Sequence, residues 1–121
     1  MNPKCPTCGT GIRDHESGRC LNRWIAEAVM GWTPTEAMMT NGWWSDSIEG
    51  AWDVLEELRG RDYEVSIADH KGKDGGMIWG VDFYKMVDSA QFETIATANA
   101  PYAPLAICRA AILAVAGGDD A

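Results

Sequence analysis

Four candidate metal ligands crowd into the first twenty residues: Cys5, Cys8, His15 and Cys20, spaced C-x2-C-x6-H-x4-C. No other feature narrows the possible folds of this chain as much. Three thiols and one imidazole form the donor set of a closed tetrahedral zinc site, because Zn²⁺ accepts thiolates and asks only for four-coordination. The two residues between Cys5 and Cys8 allow a tight turn, closed by Gly9, that aims both sulfurs at one point. Pro6, Gly9, Gly11 and Gly18 supply turns without apolar periodicity. Residues 1–20 are therefore expected to form a zinc-knuckle-like clip, folded by one structural zinc ion. A Cys5–Cys8 redox pair would need a thioredoxin-like strand and helix around it, which this text lacks. Disulfides are disfavoured because the N-terminal residues MNPKCPTCG hold no apolar export segment.

After the clip the text turns helical. Leu21, Trp24, Ile25, Ala28 and Val29 follow the i, i+3, i+4, i+7, i+8 rule and predict a helix over 21–30, stopped by Gly31. Residues 32–45 read as a loop, with a short helical turn at Glu36–Met39. A second helix is expected over 46–59, capped by Asp46 with Glu49 reaching back. Its apolar stripe is Ile48, Ala51, Trp52, Leu55 and Leu58, and Gly60 ends it. The period then becomes two. Tyr63, Val65 and Ile67 alternate with polar neighbours over 63–69, and Trp79, Val81 and Phe83 do so over 77–85. The stretch Lys71–Gly76 is a hairpin loop, and a third strand is expected over 91–98 after a turn at Asp88–Ser89. Pro104 suits the first turn of an alanine-rich helix over 104–116, which buries Leu105, Cys108, Ile112 and Val115. Asp119–Asp120 reads as a solvated tail. The expected class is α+β, a small three-stranded antiparallel sheet with helices packed on it, spanning 21–121 behind the clip. Periodicity alone leaves open whether the helices cover one sheet face or both.

Ten Lys and Arg against eighteen Asp and Glu give a net charge of −8. That balance disfavours a protein whose affinity comes from neutralising phosphates, so a nucleic-acid partner is not expected. Lys4, Arg13 and Arg19 are the only cations of the clip, beside Asp14 and Glu16. No apolar run approaches the roughly 20 residues of a membrane span, so no membrane partner is expected and the chain is placed in the cytoplasm.

Catalytic constellations are not visible. His70 sits at a hairpin end beside Asp69 without a recognisable nucleophile, and KGKDGG lacks the ending and context of a phosphate loop. The chain is read as a non-enzyme. Cys108 falls on an apolar stripe, where a thiol behaves as a small hydrophobe. Six tryptophans bear more on function. Trp24 and Trp52 are expected in the core, and Trp79 in the core or on a sheet face. Trp32, Trp43 and Trp44 flank a loop holding Met38 and Met39, and either form a binding surface, fold back as a lid over the core, or build a homo-oligomer contact. Arg59, Arg61, Lys85 and Arg109 are the cations that could join those tryptophans around an anionic ligand, with Arg109 expected opposite the buried stripe of its helix.

The stretches LNRWIAEAVMGW (Leu21–Trp32), WSDSIEGAWDVLEELR (Trp44–Arg59) and APLAICRAAILAV (Ala103–Val115) resemble the phage ABA-sandwich domain family, small proteins of bacteriophages and prophages. The resemblance covers most of the chain from Leu21 onward and rests on hydrophobic patterns. It implies a layered α/β/α sandwich in the cytoplasm of a bacterial host, and it implies no catalytic residues. An accessory protein acting by binding is then expected: blocking a host protein, or sequestering a small nucleotide signal in a counter-defence role. The alternative is a zinc-knuckle nucleic-acid-binding module in phage replication or regulation.

Overall fold

In the computed structural model, which describes residues 2–38, 44–88 and 91–118, these patterns resolve into four helices and three strands. A 3-10 turn at Ile12–Asp14 leads to α1 (Arg19–Ala28), α2 (Pro34–Met38) and α3 (Ile48–Arg59). Strands β1 (Glu64–Lys71), β2 (Met77–Met86) and β3 (Phe92–Ala100) follow, and α4 (Ala103–Gly118) closes the order. The architecture is α+β, with one antiparallel sheet in the order β1-β2-β3.

Local chemistry explains most boundaries. Gly31 ends α1 because the turn after it needs a left-handed residue (φ 76°), letting the Trp32 N–H reach back to the Ala26 carbonyl at 2.8 Å. The capping of α3 differs from the sequence expectation. Ser47 holds the cap position and accepts from the Glu49 N–H, whereas Asp46 accepts from the Asn22 side-chain amide at 3.2 Å. Gly60 stays right-handed (φ −65°), and the left-handed residue after α3 is Asp62 (φ 69°), which lets the Tyr63 N–H return to the Leu58 carbonyl. Asp tolerates that region better than branched residues do.

The core lies between the sheet and α4. Val81 and Phe83 of β2 face Ala98 and Ala96 of β3 across the ladder, and all four are buried. Small residues on β3 meet a helix that is itself rich in alanine, so backbone approaches backbone closely. Every residue from Leu105 to Ala114 is buried. A helix apolar on all sides must be covered on all sides. Here the sheet covers α4 through β2 and β3, while α3 and α1 pack elsewhere on its surface. The question that periodicity leaves open is answered for the described residues: helix–sheet packing falls on the side of Val81 and Phe83. On the other side Glu64, Ser66, Ala68, His70, Thr94, Thr97 and Asn99 are exposed. Each large core side chain, Phe83 or Leu105 for example, contributes roughly 1.5–3 kcal/mol by leaving water.

Further expectations are corrected. Trp52 is 53% exposed, as is Ile48. The buried stripe of α3 is Ala51, Val54, Leu55 and Leu58, and at about 100° per residue Trp52 lies about 110° around from its centre. β1 is an edge strand and is mostly exposed, Val65 being half-buried and Ile67 39% exposed. Another concerns Arg109, described below. Met39, Trp43, Ser89 and Asp119–Asp120 lie outside the described residues. No helix among the described residues is long and apolar enough to cross a membrane.

Candidate metal centre

The N-terminal segment builds its site from turns. The Cys5 N–H donates to the Thr10 carbonyl and the Gly9 N–H to the Cys5 carbonyl, both at 2.9 Å. Gly9 takes the left-handed conformation (φ 76°) that this knuckle requires. A single antiparallel bridge, Lys4 to Gly11, holds the base of the turn. The 3-10 turn then places His15, and Cys20 stands in the first turn of α1.

The four donors converge. Their ligand atoms all lie within 4.8 Å of one another, with Cys5 Sγ 3.2 Å from Cys20 Sγ and Cys8 Sγ 3.4 Å from His15 Nε2. All three thiols are free. In a zinc tetrahedron with bonds of about 2.3 Å, sulfurs sit about 3.8 Å apart. The cluster is thus compatible with a CCHC zinc site and close enough to hold a metal ion. Nδ1 of His15 lies 2.7 Å from the Glu16 carbonyl. Because a carbonyl only accepts, Nδ1 carries the proton and Nε2 is left with its lone pair toward the thiols.

The titration of the thiols points the same way. Hydrogen bonds from the Thr10 hydroxyl and backbone hold Cys8 down to about 6. Burial first, then the hydrogen bonds and charges of Cys5 and Cys8, pushes Cys20 up to about 12. Burial and its crowded neighbours thus oppose a thiolate at Cys20, and a divalent ion held among these donors would offset that opposition.

The clip is anchored to the rest of the fold. Ile12 is fully buried and Cys5 nearly so, both within the main hydrophobic cluster. The segment, whose text shows turns without apolar periodicity, therefore still adds to the core. His15 is buried against Trp24, ring centroids 6.0 Å apart. Arg109, expected to face solvent, a partner or a ligand, is 8% exposed. Its Nε donates to the His15 carbonyl and its NH1 to the Asn99 carbonyl, each at 2.9 Å. One guanidinium therefore joins the metal loop, α4 and β3. The physical reason is that α4 has no solvent side, so a long cation on it must find acceptors. Behind the loop, the Gly18 N–H donates to Ser45 Oγ, and Ser45 donates through N–H and hydroxyl to Asn22 Oδ1.

The other candidate binding residues are not gathered in one place. Trp44 is buried in the core and packs edge-on against Trp32 at 5.2 Å, while Trp32 stays exposed. Arg61 donates to the Val29 carbonyl at 2.6 Å and pairs with Glu57. Lys85 sits 4.3 Å over the Tyr63 ring. Arg59 lies 3.9 Å from Glu56 and lines a cavity of about 510 Å³ with Gly60, Tyr63 and Glu64. The surface that sequence reasoning missed is apolar. Met86, Val87 and Phe92 at the end of the β2–β3 hairpin are exposed, and Tyr84 packs on Phe92 at 5.0 Å. The signal was present as MVDSAQF, hydrophobes flanking turn residues.

A family model described as the phage ABA sandwich domain matches residues 23–112. No curated protein and no solved structure matches the chain.

Proposed function

The chain belongs to the phage ABA sandwich domain family, and on that footing we propose that it is a small phage accessory protein that binds a host protein in the bacterial cytoplasm and blocks it. Its N-terminal clip holds one structural zinc ion through Cys5, Cys8, His15 and Cys20. The observation that carries the metal assignment is the convergence of four donor atoms, with Nδ1 of His15 committed to a carbonyl. Four protein donors leave no open position for a substrate, which suits a structural ion. The ion's work is to hold the loop that Arg109 and Ile12 tie to the core.

Blocking is favoured over nucleotide sequestration because the described cations are committed or dispersed, whereas large apolar groups stand exposed at the β2–β3 hairpin. Rigid aromatic and apolar anchors carry most binding energy between proteins. The nucleic-acid alternative is disfavoured by the net charge of −8, and one of the clip's few cations, Arg13, donates to the Thr97 carbonyl.

Elemental analysis of the purified chain should find one zinc per chain, lost in the Cys5→Ser/Cys8→Ser variant. Affinity capture from the bacterial host, read by mass spectrometry, should recover a protein that Phe92→Asp no longer retains. Zinc-free protein with native stability would remove the metal assignment. Calorimetric heat with a nucleotide second messenger, and none lost in Phe92→Asp, would replace blocking by sequestration.

A further inference from the structure

The fold leaves one face of α3 without a partner. Ala51, Val54, Leu55 and Leu58 bury the inner side of this helix, and α4 packs against it. Ile48 and Trp52 stand one turn apart on the same flank, and each is 53% exposed. Their support is firm. The helix runs for 12 residues, Ser47 caps its first turn, and its buried side chains fix its orientation. A tryptophan held in water by an ordered helix loses little freedom when a partner covers it, as an interface anchor requires.

Carboxylates border this pair. Trp52 has Ile48 four positions before it, Glu49 three before it and Glu56 four after it, the spacings at which helical side chains are neighbours. Asp53 continues the acidic row four positions beyond Glu49. All three acids are exposed. Among the described residues Glu49 and Asp53 form no ion pair, and Glu56 meets Arg59 at 3.9 Å with both side chains more than half in solvent. The row is therefore open to cations from outside the chain.

We propose that the Ile48–Trp52 face of α3 docks a protein surface on which lysines or arginines ring an apolar socket. Charge selects this occupant from those that an exposed apolar pair can take. A second copy would set its own Glu49 and Glu56 against these, between chains that each carry −8. Nucleic acid and anionic lipid meet the same repulsion. A cationic protein surface gains from both parts of the face. The indole enters the socket, where most of the binding energy arises, and the carboxylates steer the approach and fix its register. This face shares no residue with the metal centre or with the hairpin end at Phe92, so it stands or falls apart from them.

The test is calorimetric titration of the full chain with two synthetic amphipathic helices. One carries a leucine stripe flanked by lysines, and the other carries the same stripe flanked by glutamates. The lysine peptide should bind and the glutamate peptide should not. Affinity for the lysine peptide should fall as salt rises to about 0.15 M, where the Debye length is about 8 Å. Trp52→Ala should raise the dissociation constant roughly tenfold or more. Glu49→Gln/Glu56→Gln should raise it about fivefold and flatten its salt dependence. These side chains are exposed, so circular dichroism should show native folding in the variants, and Phe92→Asp should bind the lysine peptide as the wild type does. A lysine peptide that fails to bind, equal binding of both peptides, or wild-type affinity in Trp52→Ala overturns the proposal. Binding lost in Phe92→Asp overturns it too and moves the site to the hairpin. A dimer of the chain alone that Trp52→Ala dissolves would give the face to a second copy instead.

Discussion

Replacing Arg109 by alanine tests the most connected side chain of the structure. The substitution deletes two hydrogen bonds of 2.9 Å from a buried guanidinium, to the His15 and Asn99 carbonyls. Hydrogen bonds from a charged donor contribute about 1.5–3 kcal/mol each, and stranded acceptors add a desolvation penalty. Removing the buried charge offsets part of this, because an arginine without a carboxylate partner is costly to bury. The expected net loss is about 3 kcal/mol. Against a total stability of roughly 5–15 kcal/mol that is a large fraction. At this chain length it lowers Tm by roughly 10 °C. The comparison is Arg59→Ala, an exposed residue whose loss should stay within about 0.5 kcal/mol. Urea denaturation of both variants, each metal-loaded, measures the difference. A second readout isolates the positioning of His15: zinc affinity by competition with a chromophoric chelator should fall about tenfold in Arg109→Ala and not in Arg59→Ala. If the two variants unfold at the same urea concentration, the account of Arg109 as the tie between clip and core is wrong.

Further outcomes follow from other contacts. Ile12→Ala removes a fully buried side chain from the clip and should cost about 2–5 kcal/mol by chemical denaturation even with metal bound; a loss below 1 kcal/mol would mean that the metal alone holds the loop. Gly9→Ala forces a Cβ into a left-handed position and should destabilise the knuckle by about 1 kcal/mol, read as weaker zinc retention against a chelator. Glu36 is held below the usual carboxylate value by hydrogen bonds from the Thr33 backbone and hydroxyl. The unfolded chain therefore binds its proton first as pH falls. The stabilisation is complete above the ordinary value of 4.5 and disappears as pH drops through the folded value. An NMR titration of Glu36 should move upward in Thr33→Val, and an unmoved midpoint would contradict the capping role.

The four candidate ligands were legible because a donor cluster depends on residue type and short spacing, both of which are written locally. The same holds for Gly31, whose left-handed turn follows from having no Cβ, and for the alternation that marks β2. Trp52 was misjudged for an equally physical reason. Helical periodicity reports an apolar arc, and an arc wider than the helix's contact includes residues that touch nothing. Ile48 and Trp52 lie at the rim of that arc, and only the placement of α4 shows which part of it is covered.

What the chain's text decides by itself is what neighbouring residues decide among themselves: a knuckle of donors, amphipathic helices, alternating strands and the family to which those patterns belong. The tertiary structure decides which faces are used. Arg109 lies 94 positions from His15, and no local rule brings its guanidinium to that carbonyl. It is drawn there because α4 is enclosed on every side and a buried cation must take the acceptors within reach. The exposure of β1 has the same origin, since it follows from where α4 and the sheet come to rest.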